Sequence, residues 1–180
     1  MPDGINIEKT NAKDSVIVLD ALIIGAGFSG LYQLLSLRDK LGLSAQVVEA
    51  GDGVGGTWYW NRYPGARCDS ESHSYSYYFD KELLEEWQWS ERYPGHTEVV
   101  RYLNYAADKL NLKRDIQFNS KVSSAHYSQE KNKWVVKTEQ GQEFECTYLI
   151  TAVGCLSSTN IPKFPGLDSF EGEWYHTGQW

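Results

Sequence analysis

One glycine-rich segment constrains the fold more than any other part of the sequence. The residues Gly25-Ala-Gly-Phe-Ser-Gly30 follow a nearly continuous apolar run from Val16 to Ile24. Leucines at helical spacing come after them and are expected on the buried face of a helix, namely Leu31, Leu34, Leu35 and Leu41. A buried strand, a tight glycine turn and an amphipathic helix, in that order, are typical of a dinucleotide-binding unit. A second apolar run, from Ala45 to Val48, completes a crossover of about thirty residues, so we expect a parallel sheet.

The three glycines and the acidic residue that follows them each suit one part of a dinucleotide. Gly25 allows the tight turn, Gly27 lets the backbone approach a pyrophosphate, and Gly30 permits close packing of helix on strand. The amino end of the helix offers unpaired N–H donors to phosphate oxygens. Glu49 lies about 20 residues further on, where it would accept from ribose hydroxyls. Because its carboxylate would repel a 2′-phosphate, the sequence favours FAD or NAD here and disfavours NADP.

A second glycine cluster favours FAD over NAD. Residues 51–58, Gly-Asp-Gly-Val-Gly-Gly-Thr-Trp, follow directly after Glu49, and a flavin dinucleotide needs such close access to the backbone. A later run that ends in Thr151-Ala-Val-Gly154 is similar to the second short signature of flavoproteins with two dinucleotide sites. The simpler alternative, in which the first three glycines only serve a tight connection, is disfavoured by this context.

The rest of the pattern completes an α/β chain. We expect an ordered irregular loop over residues 51–78, and a helix from Glu98 to about Leu110 that is capped by Thr97. The fold class predicted is a Rossmann-like FAD-binding domain with a parallel sheet and an antiparallel β-meander insertion. The strand segments expected after that helix are 116–122, then 125–127, 134–137 and 144–148 as the meander, and a separate buried strand over 148–154. The meander is expected to turn at Lys131-Asn132 and at Gln140-Gly141.

Composition excludes several classes of function. Seventeen basic residues against 24 acidic ones give a net charge of −7, which disfavours nucleic-acid binding by bulk charge. No apolar run approaches the roughly 20 residues that cross a bilayer, and no export signal is visible. The cysteines, Cys68, Cys146 and Cys155, form no C-x-x-C pair, so neither a disulfide framework nor a metal site is expected. These features predict a cytoplasmic protein that does not contact membranes.

Two further motifs resemble those of a known family. The run from Gly55 to Asp69, GGTWYWNRYPGARCD, closely resembles the flavin-contacting loop of type I Baeyer-Villiger monooxygenases, which are class B flavoprotein monooxygenases, and especially of those that act on cyclic and aryl ketones. Near the end of the chain, all fixed positions of the family's F-x-G-x-x-x-H-x-x-x-W fingerprint are matched, by Phe170, Gly172, His176 and Trp180. The resemblance covers about residues 15–180, which is essentially all of the chain expected to be ordered.

The resemblance implies a reaction in two halves. NADPH reduces FAD by hydride transfer, and the reduced flavin captures O2 as a C4a-peroxyflavin. That species attacks a ketone carbonyl, and migration of a carbon inserts one oxygen atom to give an ester or a lactone. The protein groups stabilise charge and exclude water around the cofactor.

The chain is expected to divide into three parts. Residues 1–14 are polar and aperiodic, so we expect a flexible amino-terminal arm. The resemblance implies that residues 15–156 are the first part of the FAD domain and that 157–180 are a linker that carries the fingerprint. The NADPH domain and the remainder of the FAD domain would be absent from this chain. The remainder of the same enzyme is therefore an expected partner, and these 180 residues alone are expected to be inactive.

Site residues follow from the matched positions. Arg67, Cys68 and Asp69 would lie where the nicotinamide end of NADP meets the flavin. Asp69 is the expected catalytic residue, because its counterpart in the family orients an arginine from a later part of the fold. His176 would couple domain movement to NADP binding, or it would be a histidine that is hydrogen bonded in the linker. The residues expected to line FAD are Ser29, Glu49, Gly56, Thr57, Trp58, Asp69, Tyr75 and Val122, together with Gly25, Gly27 and Gly30.

Several alternatives stay open or are rejected at this level. A flavin monooxygenase that oxidises nitrogen or sulfur and a non-catalytic FAD-binding fragment both remain possible functions. A hydrolase is rejected, because the segment around Ser29 lacks the closing glycine of a nucleophile elbow. Cys68, beside a charged aspartate, is expected to be a spectator thiol. Among the aromatic residues 75–79, Trp87 and Trp89, all except Tyr75 are expected to belong to the core.

Overall fold

The computed structural model describes residues 16–180, so the arm expected over residues 1–14 lies outside the described part. The early elements are those expected, since apolar strands flank a glycine turn and a helix. Short π or 3-10 turns cover Ser36–Lys40, Ser72–Ser74, Lys113–Asp115, Leu167–Ser169 and Thr177–Gln179. The helices are α1 (Phe28–Leu35), α2 (Thr57–Trp60), α3 (Lys81–Glu86) and α4 (His96–Lys109), and the strands are β1 (Ile17–Ile24), β2 (Ala45–Val48), β3 (Ile116–Gln117), β4 (Val122–Ser128), β5 (Lys133–Thr138) and β6 (Glu143–Thr151).

The six strands form one mixed sheet in the order β3-β2-β1-β6-β5-β4. Strands β3, β2, β1 and β6 run parallel, whereas β6, β5 and β4 pair antiparallel as a meander. This arrangement confirms the α/β fold class with a parallel sheet and a meander insertion. Since β1, β2 and β6 end at one edge of the sheet, the loops that follow them meet there, which is where open α/β sheets bind ligands.

Apolar side chains fill both faces of the sheet. Ala21, Ile23 and Val47 pack with residues of α1 and α4 in the larger cluster. Leu22 and Val48 pack with the meander in the smaller one. Because successive residues of a strand point to opposite faces, the two clusters cover opposite sides of β1 and β2. The parallel strands are thus held rigidly beneath the loops at their carboxyl ends.

Asp20, which interrupts the apolar run of β1, has a local partner. Its Oδ2 accepts from the backbone N–H of Ser44 at 2.8 Å and from the Ser44 hydroxyl at 2.6 Å. These hydrogen bonds hold the pKa of Asp20 below its usual value. The carboxylate therefore ties β1 to the turn that precedes β2.

Three helix details differ from the predictions. Leu41, expected on the buried face after Leu31, Leu34 and Leu35, is 66% exposed. The last turn widens to π geometry over Ser36–Lys40, and the Leu41 N–H donates to Ser36 O, which turns Leu41 away from the core. Thr97 does not cap α4, which begins at His96, two residues before the predicted start, with Gly95 as its N-cap.

The strands after α4 also differ from the predictions. The strand expected over residues 116–122 is broken, because Asn119 has a φ of +52° and residues 116–117 alone pair with β2. The two strands expected over 144–148 and 148–154 are one strand, β6, whose first half pairs with both β1 and β5. Its second half is not buried, since Tyr148 is 57% exposed.

Candidate functional site

The first glycine loop leaves β1 through two positions that exclude a side chain. Gly25 has a φ of +104°, and a Cβ atom there would lie 2.7 Å from the carbonyl oxygen of Ala152, just after β6. A Cβ atom on Gly30 would lie 1.8 Å from the Gly25 carbonyl oxygen. The roles expected of these glycines, a tight turn and close packing of α1, agree with this geometry.

Gly27 is in contact with the second glycine loop. A Cβ atom on Gly27 would lie 3.3 Å from the Gly56 Cα atom, and one on Gly56 would lie 2.9 Å from the Gly27 Cα atom. The N–H of Gly55 donates to the carbonyl of Ala26 at 3.0 Å. The two glycine clusters, separate in sequence, therefore form one backbone-lined surface at the carboxyl edge of the sheet.

The other glycines of the second cluster are not explained by the close access to a flavin dinucleotide that the sequence analysis expected. Cβ atoms on Gly51, Gly53 and Gly55 would lie 2.6 Å, 3.3 Å and 2.9 Å from atoms of Tyr59. The Tyr59 hydroxyl donates to Asp52 at 2.5 Å. These three glycines accommodate the Tyr59 side chain, so Gly56 is the member of the cluster that faces the first loop. Sequence reasoning missed Tyr59.

The amino end of α1 points into this surface without a side-chain cap. Gly27 is the N-cap residue and has no side chain to accept from the first turn. The first N–H groups of a helix lack intrahelical acceptors and carry the positive end of the helix dipole. Ser29, in that first turn, is exposed. Such an end can bind an anion, and a diphosphate is the anion that the sequence predicts here.

Glu49 lies directly behind the two loops and is only 4% exposed. Its Oε2 accepts from the N–H of Ala26 at 2.7 Å, and its Oε1 accepts from the N–H of Gly51 at 2.8 Å. The carboxylate thus joins the first glycine loop to the second. Each carboxylate oxygen keeps a further lone pair for another donor, such as a ribose hydroxyl.

Aromatic side chains connect the glycine loops to the α4 side of the core. Trp58 Nε1 donates to the Tyr75 hydroxyl at 3.1 Å, and Tyr75 packs edge-on against Phe28 with ring centroids 5.0 Å apart. Burial raises the pKa of Tyr75, so its hydroxyl stays protonated. The Tyr77 hydroxyl donates to the Phe28 carbonyl at 2.7 Å. Phe28, which the sequence did not single out, therefore links the first glycine loop to this cluster.

The expectation that the other aromatic residues of this region belong to the core holds in part. Tyr77 is buried, and Trp87 and Trp89 pack against the larger cluster. Tyr78 is 61% exposed and Phe79 is 37% exposed, so both were wrongly assigned to the core. Both residues lie in the segment just before α3, where the chain is exposed to solvent.

The segment that contains Arg67, Cys68 and Asp69 runs along a second irregular segment, residues 90–96. Arg67 forms an ion pair with Glu91, and Cys68 is buried with its N–H donating to the Pro94 carbonyl at 2.9 Å. Asp69 is exposed and makes no hydrogen bond or ion pair within residues 16–180. The carboxylate of Asp69, the candidate catalytic residue, therefore lies at the surface, next to the buried Cys68.

Two expected site residues lie in other elements. Val122 begins β4 and packs against the smaller cluster, two residues after Ser120, whose N–H donates to the Glu49 carbonyl at 2.8 Å. His176 lies in the carboxyl-terminal segment, where its Nε2 is 3.1 Å from the Asn160 carbonyl and its Nδ1 accepts from Gly178. Each histidine nitrogen therefore has a partner within that segment, as in the linker alternative.

Within residues 16–180, no group of three histidine, cysteine, aspartate or glutamate residues could hold a metal ion. None of the helices in the same residues is both long enough and apolar enough to cross a membrane.

Comparison with known proteins adds three findings. Residues 22–179 match the sequence profile of the family described as pyridine nucleotide-disulphide oxidoreductase. A Baeyer-Villiger monooxygenase from Pseudooceanicola batsensis is 46% identical over 176 residues, which are 98% of this chain and 32% of the relative. The phenazine N-monooxygenase PhzNO1 from Lysobacter antibioticus is also 46% identical, over 89% of this chain and 30% of that protein.

A solved structure agrees with these matches. Cyclohexanone monooxygenase from Rhodococcus sp. Phi1, bound to NADP+, superposes with a TM-score of 0.85 at 44% identity. The superposition covers 92% of this chain and 31% of that enzyme. The resemblance stated from the motifs is confirmed for the amino-terminal part of such enzymes, and this chain spans about a third of their length.

Proposed function

Because the chain belongs to the pyridine nucleotide-disulphide oxidoreductase family, we propose that it is the FAD-binding, amino-terminal part of a Baeyer-Villiger monooxygenase. The whole enzyme would use NADPH and O2 to insert one oxygen atom beside a ketone carbonyl, which gives an ester or a lactone. One observation carries the proposal. The two glycine loops meet at the amino end of α1 with Glu49 behind them, in a chain that resembles such enzymes along nearly its whole length.

The residues at the carboxyl edge of the sheet fit the diphosphate and ribose of FAD. The uncapped first turn of α1 offers N–H donors, and the exposed Ser29 adds a hydroxyl. Gly27 and Gly56 leave this surface free of side chains. Glu49 has lone pairs left for the ribose. When bound, FAD supplies the electron transfer and oxygen activation that amino-acid side chains do not provide.

Thr57, Trp58 and Tyr75 would form the wall beside the flavin ring. The hydrogen bond between Trp58 and Tyr75 fixes two large apolar surfaces at right angles to each other. A wall of this kind excludes water from a reacting group and keeps the flavin in one orientation. Val122 would contact the adenine end, and His176 would act at the linker when NADP binds.

Asp69 would orient an arginine supplied by the rest of the enzyme, beside the site at which the nicotinamide of NADP meets the flavin. Its carboxylate is exposed and makes no hydrogen bond or ion pair with another residue of the described range. Arg67 and Cys68 would flank the nicotinamide, with the buried Cys68 as a spectator thiol. A carboxylate that fixes a guanidinium places positive charge where negative charge develops in the reaction.

The test uses the full-length enzyme with a cyclic ketone, NADPH and isotopically labelled O2. Wild-type protein is expected to give a lactone that carries one labelled oxygen atom. Asp69→Ala is expected to keep one FAD per chain but to lose at least about a hundredfold in lactone formation, as removal of charge stabilisation does in other enzymes. Asp108→Ala, at an exposed carboxylate of α4 that pairs with Lys113, is the matched control. Unchanged lactone formation by Asp69→Ala would refute the assignment of Asp69.

A second candidate function is oxidation of nitrogen in a heteroaromatic compound. The observation that favours it is the identity to a phenazine N-monooxygenase, which equals the identity to the Baeyer-Villiger relative. The flavin half of the site therefore suits both reactions. Incubation of the full-length enzyme with a cyclic ketone and with a phenazine, in separate reactions, distinguishes the two by whether a lactone or an N-oxide accumulates.

We also propose the partners and location of the protein. The substrates would be a small ketone and O2, and the remainder of the same enzyme would pack against this chain. A net charge of −7 argues against nucleic acid as a partner. The proposed location is the cytoplasm. The three cysteines are free thiols, as is usual in that compartment.

A further inference from the structure

The segment that presents Asp69 has little regular structure of its own, so its position must come from its neighbours. Residues 66–72 pair with residues 90–96 through backbone hydrogen bonds. Cys68 N–H donates to Pro94 at 2.9 Å, and Ser72 N–H donates to Arg92 at 2.7 Å. His96 N–H donates back to Ala66 at 2.9 Å. These hydrogen bonds tie the position of residues 66–72, and so of Asp69, to that of residues 90–96.

The start of the segment 90–96 is held by a buried carboxylate, whereas Glu91 and Arg92 form ion pairs with Arg67 and Glu71. Glu98, in the first turn of α4, is 5% exposed. Its Oε1 accepts from the backbone N–H of Ser90 and its Oε2 accepts from the Ser90 hydroxyl, both at 2.8 Å. Within the described residues Glu98 has no cationic partner, so these bonds compensate the cost of burying its charge.

From this chain of contacts we infer that Glu98 is a positioning residue for the NADP side of the site. Glu98 holds Ser90, the segment that begins at Ser90 holds residues 66–72, and that segment presents Arg67 and Asp69. The inference rests on the proposed function, since it assigns Arg67 and Asp69 to the contact with nicotinamide. Glu98 itself touches neither Arg67 nor Asp69 by any hydrogen bond or ion pair within residues 16–180.

A purely structural role for Glu98 makes a different prediction. An acidic residue in the first turn of a helix stabilises that helix through its dipole. Loss of that effect would lower the stability of α4 as a whole and would not depend on Ser90. A specific role in positioning requires that removal of the Ser90 hydroxyl alone disturbs residues 66–72, although α4 is unchanged.

The experiment compares variants of the full-length flavoprotein. Glu98→Gln removes the charge, Ser90→Ala removes one donor at an exposed position, and Ser90→Thr keeps the hydroxyl. Glu82→Gln makes the same chemical change at an exposed residue of α3 and is the matched control. Two properties are measured, namely hydrogen exchange of the amides in residues 66–72 and the affinity for NADP+ from the change in flavin absorbance.

The inference predicts that Glu98→Gln and Ser90→Ala speed exchange in residues 66–72 and weaken NADP+ binding, by about tenfold for Glu98→Gln, a size typical of residues that act on a site through others. Ser90→Thr and Glu82→Gln should match the wild type in both measurements. Unchanged exchange in residues 66–72 of Ser90→Ala would overturn the inference, and so would wild-type affinity for NADP+ in both Glu98→Gln and Ser90→Ala. Failure of the wild type to bind FAD or NADP+ would instead refute the proposed function, and the exchange measurement would still test Glu98.

Discussion

At the scale of single residues, Glu49 has a structural role in addition to the ribose-binding role that the sequence motif predicts for it. The motif predicts a carboxylate for the ribose, and the structure adds that the same carboxylate accepts from the N–H groups of Ala26 and Gly51. Because these bonds join the two glycine loops, Glu49 stabilises the site before any ligand is present. A buried carboxylate that accepts two N–H bonds is a structural element in its own right.

Replacement of Glu49 by glutamine should therefore destabilise the chain in the absence of FAD. One amide oxygen can still accept, but the NH2 group would face a backbone N–H, so a loss of about 2 kcal/mol in the free energy of unfolding is expected. Chemical denaturation without added flavin measures it. Glu85→Gln, an exposed glutamate of α3, should change little. Equal effects of the two substitutions would mean that Glu49 contributes only through a ligand.

Gly30 gives a steric test at the same scale. An alanine Cβ atom there would lie 1.8 Å from the Gly25 carbonyl oxygen, a distance that no relaxation of a side chain can relieve. Gly30→Ala should separate α1 from the end of β1 and lower the thermal unfolding temperature by several degrees or more. At Gly95 a Cβ atom would meet only the Ala66 carbonyl oxygen, at 3.9 Å, so Gly95→Ala should be tolerated far better. Similar unfolding temperatures for the two variants would contradict this geometry.

The sequence predicted residues of the site better than it predicted the reasons for them. Gly25, Gly30 and Glu49 follow from motif spacing, because backbone geometry at a strand-to-helix turn permits few residue types. The contact of Tyr59 with the second glycine cluster could not be read from spacing, since it depends on how a short helix folds back over its own loop. The catalytic and nicotinamide roles of Asp69, Arg67 and Cys68 stay predictions from resemblance.

At the scale of elements, the hydrogen bonds between Asp20 and Ser44 should make the free energy of unfolding depend on pH in the acidic range. Hydrogen bonds from Ser44 lower the pKa of Asp20 from its usual value of 3.8. The stabilisation is therefore fully present above that value and is lost as the pH falls below it through the folded-state pKa. The difference in the free energy of unfolding between the wild type and Asp20→Asn should shrink over that acidic range. Denaturation at a series of pH values measures this difference, with Asp168→Asn as a surface control. A difference between the wild type and Asp20→Asn that does not vary with pH would contradict a stabilising role for these hydrogen bonds.

Elements that depend on nearby residues, such as turns and short apolar strands, were predicted well. Elements that depend on pairing with distant strands were not. β2 begins and ends where the apolar run does, and the meander turns fall at Asn132 and Gly141, which have positive φ angles. The continuity of β6 was missed, because one strand pairs with β5 along its first half and with β1 along nearly its whole length. Composition along β6 changes at that point, which made one strand resemble two.

At the scale of the whole molecule, the described chain ends in a segment with many exposed apolar side chains. Leu156, Phe164, Phe170 and Tyr175 are each at least 58% exposed. Exposed apolar surface of this extent is typical of interfaces. Since the chain spans about a third of its relatives, this surface supports the proposal that other parts of the same enzyme cover it.

We propose above all that the joined glycine loops hold the diphosphate of FAD while Glu49 holds its ribose. The flavin content of the purified full-length polypeptide tests this, with the cofactor identified by its visible absorbance and by chromatography after release. We expect one FAD per chain, and a weakened complex in Glu49→Ala. A wild-type protein that remains colourless after incubation with excess FAD, or that takes up NAD in its place, would contradict it.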